Sequence, residues 1–196
     1  YVLRYAGMLD EAAQQCDTAL SLDPGNYQFR SCSHVFEVLG NADRALVYLR
    51  LDPGSRWVLL NMPLYFKRAG KPAEARESVK EIPDDSPEHK LMTACFVQPS
   101  TVELEKVVES ATPLFFADPD PENRYWDATV MASCGKKEIA VNLLRSAIAG
   151  HYCAYTALQT DRLLETLHGS PEFDQLLSAA KECQNKFLSE RAQGSL

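Results

Sequence analysis

Histidine and cysteine are the residue types in this sequence whose chemistry best suits metal binding or nucleophilic catalysis. Four histidines are present, namely His34, His89, His151 and His168. Their spacing matches no metal-binding pattern. His151 and Cys153 place a potential base near a thiol. Side chains that close together on a helix point apart, so these two residues do not predict a catalytic pair.

The sequence also lacks the short motifs of common enzyme classes. It contains no G-x-S-x-G turn, no P-loop, no G-x-G-x-x-G and no H-E-x-x-H. The acidic pair Asp84 and Asp85 lies between prolines, which is typical of a solvated turn. We therefore predict that the chain is not an enzyme and has no catalytic residues, metal site or cofactor.

The six cysteines are Cys16, Cys32, Cys95, Cys134, Cys153 and Cys183. No two of them form a C-x-x-C pair, which would indicate a zinc site or a redox motif. Several lie where a helix would bury a small apolar side chain. We therefore expect reduced thiols in the core of a cytoplasmic protein. Disulfide bonds in an exported domain are the alternative.

Charge and hydropathy narrow the classes of partner. The chain has 196 residues and a formal net charge of −7, which disfavours nonspecific binding to nucleic acid because phosphate attracts clustered Lys and Arg. No apolar run approaches the roughly 20 residues of a membrane span. The expected partner is therefore neither nucleic acid nor a membrane.

A short pattern that repeats along the chain indicates how the helices are organised. A glycine is followed five residues later by an alanine at Gly7 and Ala12, Gly40 and Ala45, Gly70 and Ala75, and Gly135 and Ala140. We expect each glycine to end a helix in the left-handed conformation, and each alanine to let the next helix pack closely. A larger apolar residue lies four positions after each alanine, namely Cys16, Leu49, Val79 and Leu144. This spacing is helical.

The repeats resemble those of the tetratricopeptide family. Successive alanines are 33, 30 and 65 residues apart, against a family period of about 34. The segments Phe29–Phe36 and Leu59–Phe66 are similar to the family's first-helix pattern W-x2-L-G-x2-Y. Ala12 and Cys16 match the second helix, and Leu22-Asp23-Pro24-Gly25-Asn26 and Leu51-Asp52-Pro53-Gly54-Ser55 resemble the exit from a repeat.

The resemblance implies an all-α fold, an α-solenoid of antiparallel helix pairs wound as a right-handed superhelix. We expect one continuous domain, with repeats over residues 1–150 and a helical C-terminal cap over 151–196. The approximate repeats are 1–25, 26–54, 55–84, 86–116 and 122–150, of which the fourth is degenerate. The chain begins inside a repeat, so we expect it to be a fragment of a longer protein.

Several local features depart from the regular pattern. Asp52-Pro53 should shorten the second helix of the second repeat, and Pro63 should break or kink a first helix. Residues 99–122 lack the glycine signal and predict an irregular repeat. Ser170-Pro171-Glu172-Phe173 is a strong helix start, with an apolar face at Phe173, Leu176, Leu177, Ala180, Cys183 and Phe187. This C-terminal part resembles the tails of tetratricopeptide regions in large bacterial regulators and signalling proteins.

In this family the first helices line a concave groove, and the resemblance places a binding site there. The predicted groove residues are Tyr27, Arg30, His34, Glu37, Trp57, Leu64, Lys67 and Arg68, with Leu60 beside them. Aromatic and Arg side chains are common interface anchors, and the three cations could hold an acidic segment or a terminal carboxylate. The alternative is that Tyr27 and Trp57 staple the helix starts and the charges are merely solvated.

The expected function is protein–protein interaction, as a scaffold within a larger bacterial regulator. The ligand would be a helix, an extended peptide or a neighbouring domain of the same parent chain. Self-association into a homodimer is one alternative. Another is a non-catalytic sensor or output arm of a kinase or transcription regulator.

Overall fold

The computed structural model describes residues 1–83, 86–98 and 100–194, and the turn predicted at Asp84 and Asp85 lies outside them. The described residues are all-helical and contain no strand, which confirms the all-α prediction. They form two compact units. Unit one comprises Tyr1–Ala12 and Asp118–Leu196, and unit two comprises Ala13–Ala117. The boundary predicted at residue 150 does not coincide with this division.

The α-helices in chain order are α1 (Val2–Tyr5), α2 (Leu9–Leu22), α3 (Ser33–Val38), α4 (Ala42–Leu49), α5 (Arg56–Arg68), α6 (Pro72–Val79), α7 (Pro87–Met92), α8 (Thr101–Ala117), α9 (Pro121–Ser133), α10 (Lys137–Ala149), α11 (Tyr155–Thr160) and α12 (Pro171–Ala192). Two short 3₁₀ helices lie at Tyr27–Cys32 and Arg162–Leu167, and a π-helix lies at Thr93–Val97. None of these described helices combines the length and apolar character that a membrane span requires.

The repeated glycines end helices as predicted. Gly40 follows α3 with φ +72°, and the next amide, that of Asn41, donates to the carbonyl of Phe36 at 2.8 Å. This bond and the one from Gly40 to Glu37 (3.1 Å) form the Schellman arrangement of a helix end. Gly7, Gly70 and Gly135 have φ values of +74°, +73° and +76°. The left-handed conformation is therefore confirmed at all four glycines.

The repeated alanines hold their predicted packing positions. Ala12, Ala45, Ala75 and Ala140 are all buried, as are the apolar residues four positions later. Helix α3 packs against α4 and α5 against α6 in unit two, and α9 packs against α10 in unit one. Each pair is joined by one of the glycine turns, so the predicted helix pairs are present at these three places.

The departures from the regular pattern have different outcomes. Helix α4 has only eight residues, as the early Asp52-Pro53 predicted. Helix α5 continues through Pro63 without ending. The irregular repeat expected over residues 99–122 contains the 17-residue helix α8, although Pro99 itself lies outside the described residues. A buried stripe at Val108, Ala111 and Phe115 has helical spacing, which explains the regular helix without a glycine signal.

The C-terminal helix begins where the sequence predicted. The Ser170 hydroxyl accepts from the amide of Phe173 at 3.3 Å, and α12 runs for 22 residues. Phe173, Leu176 and Ala180 on the predicted face are buried, and the helix packs against α10 and α11. The rest of that face, Leu177, Cys183 and Phe187, stays partly exposed.

The prediction of reduced thiols is wrong. Cys16 bonds to Cys32 with 6.0 Å between their Cα atoms, and Cys153 bonds to Cys183 with 5.3 Å between theirs. Cys95 and Cys134 are also disulfide-bonded, so the described residues contain no free thiol. The tertiary fold brings bonded cysteines together across 16 and 30 residues of sequence. The search for C-x-x-C pairs considers only neighbouring cysteines, so it could not indicate these bonds.

Candidate protein-binding surface

Two of the predicted groove residues form a junction between α3 and α5. The Nε2 atom of His34 lies 2.9 Å from the side-chain oxygen of Asn61, and the His34 ring lies 5.0 Å from the Trp57 ring between centroids. His34 is buried, whereas Trp57 is partly exposed. His34 therefore packs α3 against α5, and the Trp57 side of this contact reaches the surface.

Glu37 and Arg68 form a second contact between the same two helices. The Arg68 guanidinium donates to the Glu37 carboxylate at 3.1 Å, and both side chains are buried. Leu64, one turn before Arg68, is also buried. These three residues are buried, so they are neither part of an open ligand groove nor solvated charges, which were the two interpretations made from the sequence. Glu37 and Arg68 join α3 to α5 within unit two.

Three other predicted groove residues are accessible. Tyr27 is 53% exposed, and Arg30 and Trp57 are partly exposed. The Arg30 guanidinium lies 5.6 Å from the centroid of the Tyr27 ring and 5.5 Å from that of Trp57, within the range of cation–π attraction. We call Tyr27, Arg30 and Trp57 the aromatic surface. Trp, Tyr and Arg are the residue types that dominate binding energy at protein interfaces.

Local sequence signals position the aromatic surface. The Asn26 side chain caps the 3₁₀ helix Tyr27–Cys32 by accepting from the amide of Gln28 at 3.0 Å. Ser55 caps α5, which carries Trp57, by accepting from the amide of Val58 at 3.2 Å. Asp52 lies 3.3 Å from Arg30 and orients its guanidinium. Asn26, Asp52 and Ser55 all belong to the two exit segments recognised in the sequence.

Lys67 lies on the same helix as Trp57, ten residues further along, which is about 15 Å of helix. Its Nζ atom is 4.4 Å from the centroid of the Phe96 ring, which the π-helix Thr93–Val97 supplies. Burial lowers the pKa of Lys67, and the nearby Arg76 lowers it further. No acidic group contributes to this pKa, and Lys67 forms no ion pair within the described ranges.

The three predicted cations therefore differ in their partners. Arg68 is neutralised by the buried Glu37, and Arg30 is partly neutralised by Asp52. Lys67 has an aromatic ring on one side and a second cation nearby. Among the described residues no carboxylate pairs with Lys67, and an anionic ligand would stabilise a half-buried positive charge of this kind.

Unit one contains a groove that the sequence did not predict. It encloses about 910 Å³ between α1 and α12, with mainly apolar walls that include Val2, Tyr5 and Phe187. The Cys153–Cys183 disulfide and His151, whose φ is +68°, also line it. Its walls come from three distant parts of the sequence. The sequence feature that could have indicated this groove was the apolar face of α12, which extends past the buried residues to Cys183 and Phe187.

Unit one also contains a buried polar network that sequence analysis missed. Arg4 donates twice to the carboxylate of Glu122, once at 2.6 Å, and the Tyr5 hydroxyl donates to Asp120. The Tyr152 hydroxyl lies 3.5 Å from the same Glu122, and its burial raises its pKa. Arg4 and Glu122 are 118 residues apart, so no local pattern predicts their pairing. This network fixes the N-terminal segment within unit one.

Comparison with known proteins gives no support to any one family. No protein-family model matches the chain, and no curated protein is significantly similar to it. The resemblance to tetratricopeptide repeats therefore rests on the residues and helix pairs described above.

Proposed function

We propose that this chain is a protein-binding module built from tetratricopeptide-like helix pairs, and that it acts by binding rather than catalysis. Its contact site is the aromatic surface of Tyr27, Arg30 and Trp57, together with Lys67. The observation that carries the proposal is the arrangement of Arg30 between two aromatic rings at 5.6 and 5.5 Å, with Tyr27 more than half exposed.

This arrangement favours binding because it is already ordered in the free protein. Arg30 is held by Asp52 and by two rings, and Trp57 is held by His34. A partner that covers these side chains removes apolar area from water and loses little of their rotamer freedom, since that freedom is already restricted. Residues of these types in a preorganised cluster are the usual anchors of an interface.

Lys67 defines the chemistry of the partner. Among the three cations predicted to bind an acidic segment, it is the one that carries no ion pair within the described part of unit two. The partner that fits is a peptide with an apolar or aromatic side chain and, about 15 Å away, an Asp, Glu or terminal carboxylate. The side chain would contact the aromatic surface, and the carboxylate would contact Lys67.

The wider architecture belongs to the same proposal. The helix pairs α3–α4, α5–α6 and α9–α10, each with its left-handed glycine, fit tetratricopeptide repeats stacked as a solenoid. In such a fold Trp57 and Lys67 lie on a first helix, where the family presents its ligand groove, and Tyr27 and Arg30 lie on the 3₁₀ helix that leads into the preceding one. The proposed role of the chain is a scaffold within a larger bacterial regulator.

We propose an oxidising compartment instead of the cytoplasm. All six cysteines are disulfide-bonded. Disulfides persist in secreted, periplasmic and extracellular proteins, whereas cytosolic thiols are kept reduced. The alternative left open by the sequence, an exported domain, is therefore the one that the cysteines favour.

A random peptide library displayed on phage tests this proposal. Peptides selected on the immobilised wild-type protein are synthesised with a fluorophore, and their affinities are measured by anisotropy. We expect Tyr27→Ala and Lys67→Gln each to weaken binding by about tenfold or more, the loss typical of an interface anchor. The matched controls are Leu22→Ala, an exposed apolar residue of unit two, and Lys80→Gln, an exposed lysine that pairs with Glu77.

The selected sequences provide a second readout. Enrichment of an aromatic residue with an acid at a fixed spacing supports the proposal, and Lys67→Gln should remove the preference for the acid. Equal losses in the test and control variants, or selection of no peptide at all, would contradict it. Light scattering against concentration on the same samples identifies self-association.

A further inference from the structure

The 3₁₀ helix Tyr27–Cys32 carries two of the three residues of the aromatic surface, yet none of its six residues is buried. A 3₁₀ helix is usually shorter than this, because its hydrogen bonds have poorer geometry than those of an α-helix. Segments with few buried apolar contacts open at low free-energy cost. The segment therefore depends on specific ties to its surroundings.

The segment packs against α3 and α4, and two noncovalent contacts at partly exposed positions also hold it. The Asn26 cap supports the first turn. The ion pair between Arg30 and Asp52 has side chains that are 27% and 25% exposed, and partly exposed pairs contribute little to stability. The tie at the other end is covalent, since Cys32 is bonded to Cys16 on the 14-residue helix α2. Cys16 is buried, so the disulfide attaches the segment to a fixed point.

We infer that the Cys16–Cys32 disulfide is a staple that holds the aromatic surface in its binding conformation, and that reduction of this bond releases the surface. This inference rests on the proposed function of that surface. In the oxidised chain the disulfide keeps Tyr27 and Arg30 against Trp57. In the reduced chain the 3₁₀ helix is released and the surface is lost, whereas Trp57 stays in place because His34 on α3 holds its ring.

Release of the staple is a thiol–disulfide exchange with a dithiol reductant, either a small molecule or a protein. A thiolate of the reductant attacks one sulfur of the disulfide, and the bond between Cys16 and Cys32 breaks. The second thiolate of the reductant then displaces the remaining cysteine from the mixed disulfide. Two electrons pass to Cys16 and Cys32, each of which takes up a proton, and the reductant leaves as a disulfide.

Hydrogen exchange of the amides in residues 28–32 tests the staple without any ligand. Three proteins are compared, namely the wild type, Cys16→Ser/Cys32→Ser, and the control Cys153→Ser/Cys183→Ser, in which the unit-one disulfide is removed. Without reductant, exchange in residues 28–32 should be at least tenfold faster in the first variant than in the wild type, and unchanged in the control. Dithiothreitol should accelerate it in the wild type and in the control, but not further in the first variant.

Unchanged exchange in Cys16→Ser/Cys32→Ser would overturn the inference. If that variant does not fold by circular dichroism, Cys16→Val/Cys32→Ala replaces it, since valine keeps an apolar side chain at the buried position. The selected peptide is then titrated against each protein, and we expect the affinity to fall about tenfold when the staple is absent. An unchanged affinity despite faster exchange would also overturn it.

The two readouts separate this inference from the proposed function. If the oxidised wild type binds no peptide, the proposed function fails. The claim that the disulfide supports binding then fails too, even if the exchange data show that the disulfide orders residues 28–32. If the peptide binds and the exchange rates do not differ, the proposed function stands and the staple fails.

Discussion

The predicted groove residues fall into two regions of unit two that differ in exposure, and both regions include residues of α5. The inner region, formed by His34, Glu37, Leu64 and Arg68, is buried between α3 and α5. The outer region, formed by the aromatic surface and Lys67, is accessible to a partner. Residues of similar chemistry thus stabilise the fold in one region and remain available for recognition in the other, because burial decides whether a charge can meet a ligand.

Removal of one partner of the buried ion pair should have the largest effect. Arg68→Ala leaves the Glu37 carboxylate buried without its cation, so we expect the free energy of unfolding to fall by about 3–5 kcal/mol. Urea denaturation followed by circular dichroism measures this change. Replacement of both partners, Glu37→Met/Arg68→Met, should cost far less, because no uncompensated charge remains. A loss below about 1 kcal/mol for Arg68→Ala would mean that this buried pair contributes no more to stability than an exposed one, which would contradict the comparison.

The His34 contact should rank second. His34→Ala removes both the ring contact with Trp57 and the bond to Asn61, with an expected loss of about 1–3 kcal/mol of unfolding free energy. A double-mutant cycle with Asn61→Ala isolates the hydrogen bond, for which we expect a coupling of about 0.5–1.5 kcal/mol. Additive effects of the two substitutions would show that the bond contributes nothing.

Lys67 should give a smaller effect that depends on pH. Its pKa in the folded protein lies below the ordinary value of 10.5, chiefly through burial. Between the lowered pKa and the ordinary one, the unfolded chain binds more protons than the folded chain, so stability rises with pH in that window. Urea denaturation at several pH values from 8 to 10 should show the wild type gaining stability relative to Lys67→Met. A difference that stays constant with pH would contradict the lowered pKa.

Arg30 should have the smallest effect on stability. Its pair with Asp52 is partly exposed, so Arg30→Ala should change the unfolding free energy by at most about 1 kcal/mol. The same variant should weaken binding of a selected peptide, because Arg30 belongs to the aromatic surface. A loss of stability comparable to that of Arg68→Ala would remove the distinction between the inner and outer regions.

Much of the helical framework follows from local sequence. The glycine turns, the Ser170 cap and the buried alanines were all predictable because each depends on residues within one or two helical turns. The sequence predicted an irregular repeat over residues 99–122 and not the regular 17-residue helix α8, because this stretch has no glycine signal, although its apolar spacing is helical. The candidate site was predictable as a set of residue types, and four of its members, Tyr27, Arg30, His34 and Trp57, meet within one contact network that Asn61 joins through His34.

The sequence by itself determined the all-helical class, the helix ends at four glycines, the start of α12 and the residue types suited to an interface, because these depend on backbone conformation and side-chain chemistry over short distances. Only the tertiary structure decided the disulfides, the pairing of Arg4 with Glu122, and which of the predicted groove residues are buried and which are accessible. Each of these requires residues distant in sequence to come within bonding distance, and that proximity arises from how the helices pack.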